Sequence, residues 1–180
     1  MDEIAREVGL GKAAIYYYFP AKENLFQAVV LQEQEEFIAN TMQIMRKGIT
    51  AGQKLHSYVH CRLEHFARMM SLDIMDAGSS VDMKPLMKDM FEEFRHRELR
   101  ILRHIMREGK RNGEFDIAST EKVAEAFLHT MKGIRLCRVR AAHGLRVEGR
   151  QIELLKNELA LVTGIFLHGI CRTRLSASRN

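Results

Sequence analysis

Tryptophan is absent from this chain of 180 residues, and proline occurs only twice, at Pro20 and Pro85. With so few helix-breaking residues, long helices can run without interruption. Strand signals are almost missing, which excludes a sheet-based fold. Cysteine is scarce and odd in number. Cys61, Cys137 and Cys171 lie far apart within helical patterns, which excludes a disulfide framework and points to reduced thiols of a cytoplasmic protein. No secretory leader opens the sequence. The longest apolar stretch, Leu159 to Leu167, is broken by Thr163 and Gly164 and is too short to span a bilayer, so no membrane partner is expected. No Ser/His/Asp or Cys/His arrangement has motif context. Gly9-Leu10-Gly11 comes after no strand and is not a dinucleotide fingerprint. Neither catalysis nor a cofactor is expected.

What is there is apolar, basic and helical. Apolar residues make up 46% of the chain, enough for a core, and 11 of the residues are methionine. Methionine gives a deformable interior, which suits either a pocket for varied apolar ligands or simple filling between helices. The net charge of +5 fits a nucleic-acid partner. Its distribution is uneven. From Met1 to Asn24 there are three bases, Arg6, Lys12 and Lys22, against four acids, Asp2, Glu3, Glu7 and Glu23. The positive excess lies later, from Arg95 to Arg111 and from Lys132 to Arg150.

The stretch Met1 to Phe19 has the pattern of a helix-turn-helix. Ala5 keeps the first helix small where the second crosses it, and Gly9 permits the positive φ of a tight turn. Ile4, Val8, Ile15 and Tyr18 are spaced to form a shared apolar seam. Such a pair places its second helix in the DNA major groove. Periodicity and punctuation then predict helices over about Asp2–Val8, Lys12–Phe19, Lys22–Lys47, Gly52–Met70, Pro85–Arg111, Ser119 or Thr120 to Ala142, and Glu148–Arg172. The third would reach about 40 Å and can connect the helix-turn-helix to the remaining helices. Leu55, Tyr58, Val59, Phe66, Met69 and Met70 make one apolar stripe; Met87, Met90, Phe91, Phe94, Ile101, Leu102, Ile105 and Met106 make another. In the last helix, Ile152, Leu155, Leu159, Val162 and Phe166 are widened by Leu161 and Ile165, a stripe broad enough for both a core and a partner subunit.

The run Ile4-Ala5-Arg6-Glu7-Val8-Gly9, followed by Ile15-Tyr16-Tyr17-Tyr18-Phe19-Pro20 and Lys22-Glu23-Asn24-Leu25-Phe26, resembles the TetR-type repressor family. The resemblance implies an all-α homodimer. Its first helices would bind DNA, and its later helices would form a ligand pocket and a dimer interface. Residues 1–27 would be the DNA-binding part and residues 28–180 the ligand-binding and dimerisation part. DNA contacts fall on Gly11, Lys12, Ala13, Ala14, Tyr16, Tyr17 and Lys22. Lys12, Ala13 and Ala14 open the second helix toward base edges, the alanines offering only methyl contacts, so discrimination leans on Lys12, Tyr17 and DNA shape. Tyr16 and Tyr17 can donate hydroxyls to phosphates, and Lys22 can hold one at a helix start. Tyr18 and Phe19 are expected to pack inward.

The chain departs from the family in having no counterpart to the first helix that buttresses the other two. Gly11 and Ala21 also stand where Ser or Thr usually caps. An alanine N-cap costs about 1 kcal/mol relative to serine. A segment before Met1 is therefore expected to be missing, and the chain as it stands is expected to bind DNA poorly.

The expected function is that of a one-component, ligand-responsive transcriptional repressor. Two recognition helices would lie about 34 Å apart, or a similar repeat, over a palindromic double-stranded operator. A small apolar effector would bind among Tyr58, Phe66, Met69, Met70, Met90, Phe94 and Met131, and the two C-terminal helices would form the homodimer interface. The alternative is a helical small-molecule-binding dimer that does not bind DNA in this form. His56, His60, Cys61, Glu64 and His65 have helical spacing that can hold a metal, or they are flank residues; no metal is expected. Arg100, Arg103, Arg107 and Arg111 form either a solvated stripe or an attraction for an acidic ligand head group.

Overall fold

The computed structural model describes residues 1–71, 84–141 and 149–171. Among them are α1 (Asp2–Glu7), α2 (Lys12–Tyr18), α3 (Lys22–Met45), α4 (Ala51–Ser71), α5 (Lys84–Arg111), α6 (Thr120–Ala141) and α7 (Gly149–Ile170), and no strand. Every predicted helix is present, and the ends that fall on described residues shift by two residues or fewer, while the expected ends at Ala142, Glu148 and Arg172 lie outside the described residues. The expected loop at Asp76–Ser80 and the break at Gly144 lie outside the described residues.

The helix ends arise from local chemistry. α1 stops because Gly9 takes φ +67, and the N–H groups of Gly9 and Leu10 then donate back to the carbonyls of Arg6 and Ala5. α5 stops in the same way at Gly113, φ +73. α4 opens with a reciprocal cap. Thr50 Oγ1 accepts from the Gln53 N–H at 3.1 Å, and Gln53 Oε1 accepts from the Thr50 N–H at 3.0 Å. Glu114, distant in sequence, accepts from the Ala51 N–H at 2.8 Å and so docks the α5–α6 turn on the positive end of α4. Ser119 caps α6 by accepting from the Lys122 N–H. The Asp116 N–H donates to the Ile170 carbonyl at 2.7 Å, which ties that turn to the end of α7. Gly109 is required here for space: a Cβ on it would lie 2.2 Å from the Phe115 ring.

α3 packs on α4 and α5, α4 on α5 and α7, and α6 on α5 and α7. The interior contains Phe37, Leu55, Tyr58, Leu102, Ile105, Met106, Phe127, Leu128 and Leu155, each fully buried. Burying one such side chain stabilises by about 1.5–3 kcal/mol. Val30 forms a separate small cluster with Phe26, Met69 and Met90. That arrangement corrects one stripe. α5 makes its apolar contact there through Met90, which leaves Phe91 at the edge and 44% exposed.

His65 is buried against Phe37 and Phe94, with ring centroids 5.4 Å from each. Burial, helped by the charges of Arg62 and Arg68, lowers its pKa to about 3. Above about pH 6.5 the imidazole is neutral in both folded and unfolded chain. Below that pH the unfolded chain binds a proton that the core refuses until about pH 3. Stability therefore falls as pH falls through that window. Urea midpoints at pH 7 and pH 4.5 check this: His65→Leu should lose about 2 kcal/mol less than the wild type over the same interval.

Candidate nucleic-acid interface and effector cavity

α1 and α2 cross at their two buried side chains, Ala5 and Ile15. Gly11 is the N-cap of α2, and Ala21 the N-cap of α3, neither with a side-chain cap bond. Asn24 Oδ1 partly compensates by accepting from the Ala21 N–H at 3.1 Å. Lys12, Ala13, Tyr16 and Tyr17 occupy i, i+1, i+4 and i+5 of α2, one face of a helix, and all four are exposed. Tyr17 is 82% exposed. Gly11 and Lys22 are also exposed, and Ala14 is half-buried. The structure thus brings six of the seven residues expected at DNA to the surface of the first two helices and the start of α3.

Tyr18 does not pack inward as expected. It is 70% exposed and meets Tyr17 edge-on at 5.2 Å. Among the described residues the substantial packing of α2 is on α1 alone, so nothing covers that side of it. The expected seam is likewise open at Ile4 and Val8, both exposed, as is Leu10 beside it, while Phe19 is half-buried. Lys12 is held by Asp2 at 2.9 Å, which raises the lysine pKa and lowers that of the acid. Sequence reading missed this pair. In contact with DNA, Lys12 must exchange Asp2 for the nucleic acid.

The helical body holds a cavity of about 20 Å³ between α4, α6 and α7. Its apolar wall is Leu63, Phe66, Leu128, Met131, Leu155 and Leu159, and its charged wall is Arg62, Lys132 and Arg135. Of the seven expected pocket residues, Phe66 and Met131 line it. Tyr58 and Phe94 are instead core residues beside Arg62: the Tyr58 hydroxyl donates to Glu98 Oε1 at 2.9 Å, and the Arg62 guanidinium lies 5.2 Å from the Phe94 ring centroid. Met69 and Met90 belong to the Val30 cluster, because Met69 lies two turns beyond Arg62 on α4 and faces α3. The Met70 side chain is outside the described residues.

The three cations were the missed part. Leu128, Met131, Lys132 and Arg135 stand at i, i+3, i+4 and i+7, so two bases share the inward face of α6 with apolar residues. Burial pushes Arg135 down to about 10 and lowers Lys132. The guanidinium of Arg135 lies 5.3 Å from the Phe66 ring centroid. Arg62 pairs with Glu98 at 2.6 Å and lies 5.6 Å from the Phe37 ring centroid of α3.

The other constellations resolve as surface. Arg103 and Arg107 bridge to Glu125 and Glu121 of α6 at 2.6 and 2.7 Å, and Arg100 to Glu93 at 3.4 Å, so three of the four stripe arginines are paired on the outer face. His60 faces solvent beside Glu64, whereas His65 turns into the core. Among the described residues no three His, Cys, Asp or Glu side chains converge, the cysteines are free, and no helix is long and apolar enough to cross a membrane.

A helix pair with an exposed second helix, carried on a long third helix that docks into a helical body, defines the helix-turn-helix transcriptional regulators. The model of bacterial regulatory proteins of the tetR family matches residues 1–29. A crystal structure of a transcriptional regulator from Cytophaga hutchinsonii is 34% identical, covers 96% of this chain and 88% of its own, and superposes with a TM-score of 0.84. The chain belongs to the tetR family of bacterial regulatory proteins. At lower identity the fold recurs in a TetR-family regulator from Agrobacterium tumefaciens, with 17% identity, coverage of 95% and 86%, and TM-score 0.66. It recurs again in a ketosteroid transcriptional regulator of Mycobacterium tuberculosis, with 15% identity, coverage of 94% and 83%, and TM-score 0.60. No curated protein sequence matches the chain.

Proposed function

We propose that the protein is a dimeric, ligand-responsive repressor that reads a palindromic operator through α2 and releases it when a small molecule enters the α4/α6/α7 cavity. The observation that carries this is the solvent-facing set Lys12, Ala13, Tyr16 and Tyr17 at the outer end of α3. Residues 1–27 form the DNA-reading part and residues 28–180 the sensing and pairing body. Exposed Leu136 of α6 and Leu154, Leu161 and Ile165 of α7 support pairing through those two helices. The ketosteroid regulator among the structural neighbours supports a small-molecule effector. α4 links the parts. Its Arg68 holds Glu33 of α3 at 2.7 Å, so a displacement of α4 moves α3 and with it the spacing of the two recognition helices. The effector releases DNA only if it binds the displaced state better.

Selection from random duplexes is expected to return a palindrome whose half-sites lie about one helical turn, or a similar repeat, apart. On the selected site, Lys12→Ala should weaken binding tenfold or more, from about 1–3 kcal/mol per base contact, and relax one position in each half-site. A specific observation favours a second reading, a ligand-binding dimer without DNA activity: Ile4 of α1 and Val8 and Leu10 just after it are all exposed. A dimer that enriches no sequence would establish that reading instead.

A further inference from the structure

The geometry points to an anionic amphipathic effector, a carboxylate on a medium-length aliphatic chain, whose charge is taken by Arg135, Lys132 and Arg62 and whose chain lies against Phe66, Met131 and Leu159. This deepens the proposed function, since it names the chemistry of the molecule that enters the α4/α6/α7 cavity. Three cations line that cavity, and among the described residues Glu98 is the one buried carboxylate that faces them. Arg62 and the Tyr58 hydroxyl share Glu98 Oε1, at 2.6 and 2.9 Å, while among the described residues Glu98 Oε2 has no hydrogen-bond partner. Among the described residues Lys132 and Arg135 make no direct ion pair, and Glu98, with Glu92 for Lys132, acts on them only from further off, although both are partly buried among apolar side chains. A buried charge without a partner is costly, and proteins keep few of them. Both pKa values are lowered, with burial as the first cause and Glu98 opposing it only in part. An anion in the cavity would reduce the excess positive charge there, and charge-assisted bonds to a guanidinium are among the strongest that a protein makes. The apolar wall excludes a bare inorganic ion as the best occupant, because six aliphatic or aromatic side chains would be left without a ligand surface to cover. The present space holds about one water molecule, so entry requires Met131 and the long cationic side chains to swing, which their rotatable stems allow.

The same placement couples occupancy to the DNA-reading helices. The Arg62 guanidinium lies over both Phe37 of α3 and Phe94 of α5 while it pairs with Glu98. An anion that competes with Glu98 for Arg62 loosens the contact between α4 and α3.

Titration calorimetry with decanoate, below its micellar concentration, and with decanol as the uncharged probe of equal length tests the inference on the whole protein. Decanoate is expected to bind one per chain and at least tenfold more tightly than decanol. Arg135→Met should remove that preference while leaving the thermal midpoint unchanged or raised, because it deletes a partly buried cation that has no direct ion pair; Arg135→Lys should keep part of the preference. Equal affinity for the two probes, no binding of decanoate, or an unaltered preference in Arg135→Met each overturn the anion assignment. Regulation itself is judged separately by the duplex selection. An operator recovered together with a null decanoate titration leaves the repressor reading standing and removes only the effector class.

Discussion

Glu98→Ala is expected to cost the fold about 3–5 kcal/mol, the range for removing one member of a buried ion pair. Glu98 is fully buried, accepts from the Tyr58 hydroxyl and pairs with Arg62. Without it, Arg62, Lys132 and Arg135 share one apolar region with no buried carboxylate among the described residues facing them. Tyr58, whose phenol burial already pushes well above its ordinary pKa, loses its acceptor as well. Glu98→Gln should be milder than alanine, since an amide oxygen still accepts from Tyr58 and only the charge is gone. The decisive comparison is the double variant Glu98→Gln with Arg62→Met. Replacing both partners by uncharged groups of similar volume is often close to neutral, so the double variant should recover most of the stability lost by Glu98→Ala. Urea unfolding of the four proteins measures this. A double variant no more stable than Glu98→Ala would show that the pair matters for shape and not for charge.

The same residue shows where the sequence was legible and where it was not. All seven helices could be read because periodicity, Pro20, Gly9 and Gly113 act locally: a positive φ or a missing N–H ends a helix whatever surrounds it. The exposed face of α2 was legible for a similar reason, since a helix of seven residues with one buried side chain, Ile15, leaves the rest outside. Tyr18 was misread because its inward packing needed a neighbour that the described helices do not supply. Glu98 stands four residues after Phe94 and four before Leu102, in register with the stripe of α5, but its charge argued for solvent. Only the partners from α4, Tyr58 and Arg62, make its burial tolerable, and they are about 40 residues away in sequence. Lys132 and Arg135 were hidden likewise, by the habit of assigning bases to the outside. The methionines misled in the opposite direction. Met69 and Met90 look like pocket residues, yet their place along α4 and α5 sends them to Val30.

In the proposed dimer, Leu161→Glu together with Ile165→Glu is expected to leave a folded 20.8 kDa monomer at micromolar concentration. Both side chains are 64% exposed and four residues apart, one above the other on the outer side of α7, with Leu154 further back along the helix. Their removal empties no core space, so helical content and the thermal midpoint of the single chain should hardly change. A two-fold interface presents each residue to the partner's copy of the same patch. The two substitutions therefore remove four apolar side chains and place four like charges in the contact, where repulsion and desolvation act together. Sedimentation velocity reads the mass directly, and circular dichroism reads the fold. Operator binding should fall further than the interface energy alone requires. A monomer engages one half-site without the effective concentration that the linked second recognition helix provides, a factor of about 10²–10⁴. Decanoate affinity should persist, because Leu155 and Leu159 face the cavity from the other side of α7 and are buried within the chain. A doubly charged variant that remains dimeric would place the contact elsewhere on the body. Loss of decanoate binding together with the dimer would show that the cavity is completed only when two chains pair.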